Sequence, residues 1–319
     1  MRTYIITANG KLFVFGRTLA FRDADLEKTF RIPVKTINAI VLTGQASITG
    51  EAFSLAEKNK IIIVHAPNGK PSSVSIPFSY KGTGRLHLNQ ARMFHERRMD
   101  VARAIEEYGL AHATESHTRL KLPEKDIRYV RKAIRSAKTP EELMGLEGMF
   151  YKVYYESLDC VLPKQLQIGR REYRPPPNRG NAVVSYINSL LYGYLLATIS
   201  ATGIDTSISY IHEPVHGPIA LALDVAEMYR QTILSRTFLL AAGKYKLSSS
   251  DFTKTLNGYY LSRSGRQKIS RAFLEQLSKI VVAEGKRRKL ASIINRNAYA
   301  LRKAFFDMET PRFLEYRVV

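Results

Sequence analysis

The sequence predicts an α+β multidomain protein, with a small β-rich N-terminal domain (residues 1–78), a linker (79–88) and a larger all-α domain (89–319). Three observations carry this. Short β-branched runs separated by turn dipeptides fill the first 78 residues. Two glycines, Gly82 and Gly84, interrupt the pattern. From Asn89 onward apolar residues recur at helical three- and four-residue spacing.

The expected strands lie in "TYIITA", "KLFVF", "NAIVLTG", "KIIIVHA" and "SSVSIPF". Asn9-Gly10 and Asn68-Gly69 read as hairpin turns, because two-residue turns need positive φ at their centre. "GEAFSLAEKNK" reads as one short helix among the strands. After the linker, "QARMFHERRMDVARAIEEYGLAHA" predicts a long amphipathic helix. A second begins at Thr139, a fitting N-cap, with Pro140 at the first helical position and Glu142 completing a capping box. Three prolines in "REYRPPPNRGN" enforce a loop. Helices then resume in "AVVSYINSLLYGYLLATISATG" and in one run from Pro218 through "IALALDVAEMYRQTILSRTFLLAA".

Forty-nine Lys and Arg against 28 Asp and Glu give a net charge of +21, which points to a polyanion, nucleic acid first. One cysteine, Cys160, excludes an intramolecular disulfide framework, suits a reducing compartment, and reads as a core residue. No signal peptide is evident and no apolar run approaches the roughly 20 residues of a membrane span, so a cytoplasmic location without a membrane partner is expected.

Asp224 and Glu227 are misplaced in this pattern. They fall about 60° apart around a helix that is otherwise apolar nearly all round. Glu147 repeats the anomaly between Leu143, Phe150 and Tyr154, with Gly145 and Gly148 beside it as sites of close approach. A buried carboxylate needs an arginine, a hydrogen-bond cage or a metal. Two readings stand. With His212 and His216 at the helix entrance, the carboxylates make an N/O site suited to Mg²⁺ or Mn²⁺. Alternatively they form a structural salt bridge, with Arg230 the first partner, and a histidine caps the helix.

"ELMGLEG", "RPPPNRGNAVVSYINSLLYGYL", "GIDTSISYIHE" and "LALDVAEMYR", in this order, resemble the signature blocks of the CRISPR-associated protein one family, and "DFTKTLNGYYLSRSGRQKI" is similar to a later one. The resemblance implies a metal-dependent DNA endonuclease and integrase of CRISPR adaptation, using Mg²⁺ or Mn²⁺, with its catalytic site in the helical domain. It also implies a homodimer, joined through the N-terminal domain, that works with a small ferredoxin-like partner, CRISPR-associated protein two, on double-stranded and branched DNA. By the same resemblance Glu147, His212 and Glu227 are metal ligands, with Asp224 beside them in the catalytic set. The sequence departs from the family at "HGPIALALD", where an arginine and a serine are common, and His216 has no family counterpart.

Arg170, Arg171, Arg174 and Arg179 surround the proline loop, and Arg263, Arg266 and Lys268 lie near Tyr259 and Tyr260; these are the candidate DNA contacts. The run "KRRK" at 286–289 reads as a phosphate contact or as a solvated helix face. A transposon-borne integrase with the same domain, and a basic DNA-binding scaffold without catalysis, are the alternative functions.

Overall fold

The structure is a computed structural model that describes residues 3–67, 71–116, 120, 122, 124–172, 175–214 and 217–318. The Asn68-Gly69 turn, Arg174 and His216 lie outside these residues.

Two four-stranded sheets build the N-terminal region. The first contains β1 (Thr3–Ile6), β5 (Ala39–Leu42), β7 (Ile62–His65) and β8 (Ser73–Ser75) in the order β1-β5-β7-β8, with the first three parallel. The second contains β2 (Gly10–Phe15), β3 (Thr18–Asp23), β4 (Thr29–Ile32) and β6 (Ala46–Ile48) in the order β4-β3-β2-β6. Helix α1 (Gly50–Lys58) starts where expected, with Thr49 Oγ1 accepting from Ala52 N at 3.3 Å.

The expected Asn9-Gly10 hairpin is not formed. β1 and β2 belong to different sheets, so this dipeptide is a crossover, in which Asn9 Oδ1 accepts from Gln45 N at 2.9 Å. A Cβ on Gly10 would come within 2.0 Å of the Arg22 carbonyl oxygen, so close strand approach requires the glycine. The true two-residue hairpin is Gly16-Arg17, with Gly16 at φ 61°.

The parallel sheet is buried on both faces, which explains why "AIVL" at 39–42 shows no polar alternation. Ile40, Leu42 and Ile63 pack with the second sheet, whereas Ala39, Val41, Ile62 and Val64 belong to the core of the helical region.

The C-terminal region is mainly helical. It contains α2 (Gly84–Ser116), α3 (Glu124–Ser136), α4 (Pro140–Asp159), α5 (Arg179–Ser200), α6 (Ala220–Glu227), α7 (Arg230–Gly243), α8 (Arg263–Ser278) and α9 (Leu290–Asp307). Helix α2 thus begins inside the segment expected as linker, and Gly82 touches the Gly203 backbone. Two small antiparallel sheets add to the helices: β9 (Phe252–Thr255) with β10 (Gly258–Leu261), and β11 (Ile280–Ala283) between β12 (Lys286–Lys289) and β13 (Arg317–Val318). "KRRK" is therefore strand β12, not a helix face, since its exposed basic side chains conceal pairing to the apolar β11.

Helix α5 is the core helix. By composition it is long and apolar enough to cross a membrane, yet 78% of its most apolar window is buried inside the protein. Gly193 lets it approach the parallel sheet, where a Cβ would lie 3.1 Å from Val41 Cγ1. Cys160, expected in the core, is instead exposed at the end of α4.

One ion-pair cluster ties the two regions together. Arg263, at the start of α8, pairs with the buried Asp23 of β3 and, at 2.7 Å, with Asp25. Hydrogen bonding from Arg263 holds the Asp23 carboxyl below its ordinary range. A depressed carboxylate stabilises the fold above its unfolded pKa of about 4, and that contribution is lost as the pH falls through the lower folded value. Arg263→Ala should therefore cost about 1–3 kcal/mol at pH 7, with a smaller difference at pH 3, measured by chemical denaturation at both values.

Candidate active site

Asp224 is the first carboxylate the fold explains. It is fully buried on α6 and accepts from the backbone N–H of Tyr210 at 2.5 Å, Ile211 at 3.0 Å and His212 at 3.0 Å. Its Oδ1 also lies 2.8 Å from His212 Nδ1. An ionised carboxylate only accepts, so Nδ1 carries the proton and Nε2 is the basic nitrogen, turned away from Asp224. The same loop is held from its carbonyl side. Arg98, next to a kink in α2 at Arg97, donates to Tyr210 O at 2.9 Å and pairs with Glu213 at 2.7 Å.

Glu227 is also fully buried, one helical turn after Asp224. The long helix expected from Pro218 breaks immediately after it, because Tyr229 leaves helical dihedrals at φ −130° and ψ −16°. The break separates α6 from α7. Arg230 opens α7 and turns back to pair with Glu227, while Tyr151 Oη donates to Glu227 Oε2 at 3.0 Å.

Glu147 arrives from α4. Arg230 Nη1 reaches its Oε1 at 3.2 Å, and Arg230 Nη2 donates to Tyr192 Oη at 2.9 Å. The guanidinium also lies 5.3 Å from the Tyr151 ring centre and 5.7 Å from that of Tyr192. Burial holds the Glu227 carboxyl well above its ordinary range, against the opposing pull of Arg230. Thus Glu147 and Glu227 are brought together through Arg230, and His212 is fastened to α6 through Asp224. The salt bridge with Arg230 that the sequence offered as one reading is present.

Gly145 and Gly148 do not admit a packed neighbour, because a Cβ at either would meet nothing within 4 Å. Gly148 instead borders a cleft of about 2450 Å³, together with His212, Arg230, Tyr151, Tyr155 and Tyr192. The N-terminal region contributes Asn9, Thr43, Gly44 and Gln45 to the lining.

The basic candidates divide. Arg170 and Arg266 line this cleft, the former exposed. Arg171 also lines it, but its guanidinium braces the proline loop through Asn181 Oδ1 and Ser185 Oγ, both at 3.0 Å. Arg179 lies 5.7 Å from the ring centre of Tyr259. Arg263 is engaged by Asp23 and Asp25, and Lys268 by Asp251 at 2.6 Å.

Sequence reasoning missed Tyr151, Tyr192 and Glu106. Tyr151 stands four residues after Glu147, a spacing that places both on one helix face and could have revealed it. Glu106 sits beside Glu107 in a charged stretch that reads as solvent-facing, yet it is buried. Its carboxyl is held well above the ordinary range by burial first and then by Glu147.

The sequence matches the family described as CRISPR associated protein Cas1 over residues 3–275. The chain belongs to the Cas1 family. The CRISPR-associated endonuclease Cas1 of Methanothermobacter thermautotrophicus is 30% identical over 284 residues, 88% of this chain and 84% of that protein. The corresponding endonuclease of Thermodesulfovibrio yellowstonii is 27% identical over 318 residues, 97% of each. Among solved structures, a Cas1 protein from Thermotoga maritima superposes with a TM-score of 0.85 at 24% identity, over 98% of this chain and 100% of that one. A casposase bound to integration product gives 0.84 at 22% identity, over 97% and 92%. A Cas1 fold, with two N-terminal sheets and a mainly helical C-terminal region, is thus established, and the protein is a CRISPR-associated endonuclease of the Cas1 family.

Two measurements check this site. Asp224→Ala would leave two buried N–H groups and one part-buried one without an acceptor, so thermal unfolding should show a loss of about 3 kcal/mol or more. A carboxyl whose folded pKa is raised contributes stability that is complete below its unfolded pKa, about 4, and is lost as the pH rises toward the folded value. Stability should therefore fall as the pH rises above about 4, and Glu106→Gln should flatten that fall in denaturation curves recorded with a chelator.

Proposed function

We propose that this protein is a divalent-metal-dependent DNA integrase and endonuclease, with Glu147, His212 and Glu227 as ligands of Mg²⁺ or Mn²⁺. The observation that carries the reading is that two carboxylates from different helices, Glu147 and Glu227, meet on one largely buried arginine. Two carboxylates already gathered around one cation suit a divalent ion in its place. The donor chemistry fits as well: two carboxylates and an imidazole whose other nitrogen is fixed by Asp224 follow the carboxylate–histidine–metal pattern. When bound, the ion supplies charge stabilisation on the oxygens of an in-line phosphoryl displacement.

The protein's own residues supply position. Asp224 gives all its acceptor contacts to the 210–212 loop, so it orients His212 and does not serve as a base. The cleft beside the carboxylates takes the DNA, with Arg170 and Arg266 on phosphates and Tyr259 and Tyr260 as stacking surfaces. Arg171 and Arg179 shape the wall rather than grip a strand. The nucleophile is a DNA 3′-OH during spacer insertion and water during cleavage, so no protein nucleophile is needed.

A homodimer and a small ferredoxin-like partner, CRISPR-associated protein two, complete this reading. It is supported by likeness to part of a chain in a Cas6-RT-Cas1–Cas2 complex, 36% of which is covered, and to a Cas1–DNA complex. A transposon-borne integrase shares the same chemistry, and likeness to the casposase favours it as the second reading. The two differ in target, since a CRISPR enzyme inserts at the array and a transposon enzyme elsewhere.

Joining of a short duplex to an array-bearing plasmid with Mn²⁺ or Mg²⁺ tests the proposal. Glu147→Ala and His212→Ala should each lower the rate by about 100-fold or more, since metal stabilisation is worth several kcal/mol. Undiminished joining by both variants would refute the ligand assignment, and absence of joining by the wild type would leave the basic scaffold. Arg170→Ala should weaken DNA binding and reduce the slope of log K against log salt by about 1.

A further inference from the structure

Glu106 has no role in the site so far. It is 5% exposed, and its Oε1 has no hydrogen-bond partner. Gly109, three residues on and on the same face of α2, presses on the Glu227 backbone, where a Cβ would fall 2.2 Å from the Glu227 carbonyl oxygen. That face therefore packs at the junction of α6 and α7, against the backbone of Glu227 and Met228. Glu106 lies within electrostatic reach of both Glu147 and Arg230.

Arg230 already holds Glu147 and Glu227, the two carboxylates that a metal needs. Among the described residues, no three His, Cys, Asp or Glu side chains stand close enough to hold an ion. A guanidinium and a divalent cation cannot both occupy the space between these two carboxylates. A displaced guanidinium, if left buried and unpaired, would be strongly unfavourable.

We infer that Arg230 is the resident cation of the metal-free site and that Glu106 is a positioning residue, the acceptor that takes the guanidinium when a divalent ion claims Glu147 and Glu227. The inference rests on the metal reading above. Arginine suits the exchange because its five donors can be shared among several carboxylates, and the rings of Tyr151 and Tyr192 offer it a stacking surface. Pairing is conserved through the exchange: Glu106 gains a partner as Glu147 and Glu227 lose theirs.

Calorimetric titration of the full chain with Mn²⁺ tests this in four proteins: wild type, Glu106→Gln, Arg230→Gln and the double variant. Glu106→Gln should weaken Mn²⁺ binding roughly tenfold, the scale of a lost outer partner. Arg230→Gln should bind Mn²⁺ at least as tightly as wild type, and adding Glu106→Gln to it should change nothing further. Wild-type affinity in Glu106→Gln, or equal weakening in both backgrounds, would overturn the inference. Should Arg230→Gln fail to fold, a crystal structure of the Mn²⁺-loaded wild type decides. Arg230 seated on Glu106 supports the exchange, while Arg230 still between Glu147 and Glu227, or turned into the cleft, refutes it. Absence of Mn²⁺ binding in wild type would instead overturn the metal reading, and this inference with it.

Discussion

The site depends on one buried carboxylate that touches no arginine. Asp224 gathers three consecutive backbone N–H groups and the His212 ring onto a single side chain, so loop and helix form one rigid piece. A charge with no exposure is tolerated there because four donors replace its water. Arg98 closes the same loop from its carbonyl side. With loop and α6 locked together, the orientation of His212 is inherited from helix packing rather than from its own rotamer. The broken helix then delivers Arg230 beside Glu227, and α4 brings Glu147 to the same guanidinium.

Much of this was legible before any coordinates, because misplaced charge is conspicuous. Asp224, Glu227 and Glu147 each interrupt an apolar helix face, and burial of that face was readable from its period. What they do was less legible. One pattern is compatible with a metal site and with an ion pair to Arg230, and the structure holds the ion pair. Glu106 escaped notice because its neighbour Glu107 and nearby arginines give α2 a solvated appearance, and only tertiary packing distinguishes the two glutamates. The N-terminal strands were found but their pairing was not. A turn dipeptide such as Asn9-Gly10 reports local chain reversal, whereas β1 pairs in parallel with β5, more than thirty residues away. Tyr229 likewise broke a helix that local propensity would have continued.

The +21 charge needs a finer interpretation than total count. Arg263 and Lys268 are occupied by Asp23, Asp25 and Asp251, and Arg171 braces a loop. Basic residues near a cleft thus divide into those that shape its walls and those that face its interior. Arg170 belongs to the second group, while Arg266 lines the cleft and also donates to Leu261 O at 3.1 Å.

The parallel sheet buried on both faces has a consequence for how the protein folds. Val41 and Val64 belong to the helical core while Ile40 and Ile63, their neighbours in sequence, belong to the N-terminal core. The helical core is incomplete without this sheet, whereas the second core is built wholly from residues 6–63. Cutting the chain in the linker would expose a valine- and isoleucine-rich sheet face, an adhesive surface prone to self-association. Because the helical core takes in residues from this sheet, the two regions are expected to unfold in one cooperative transition.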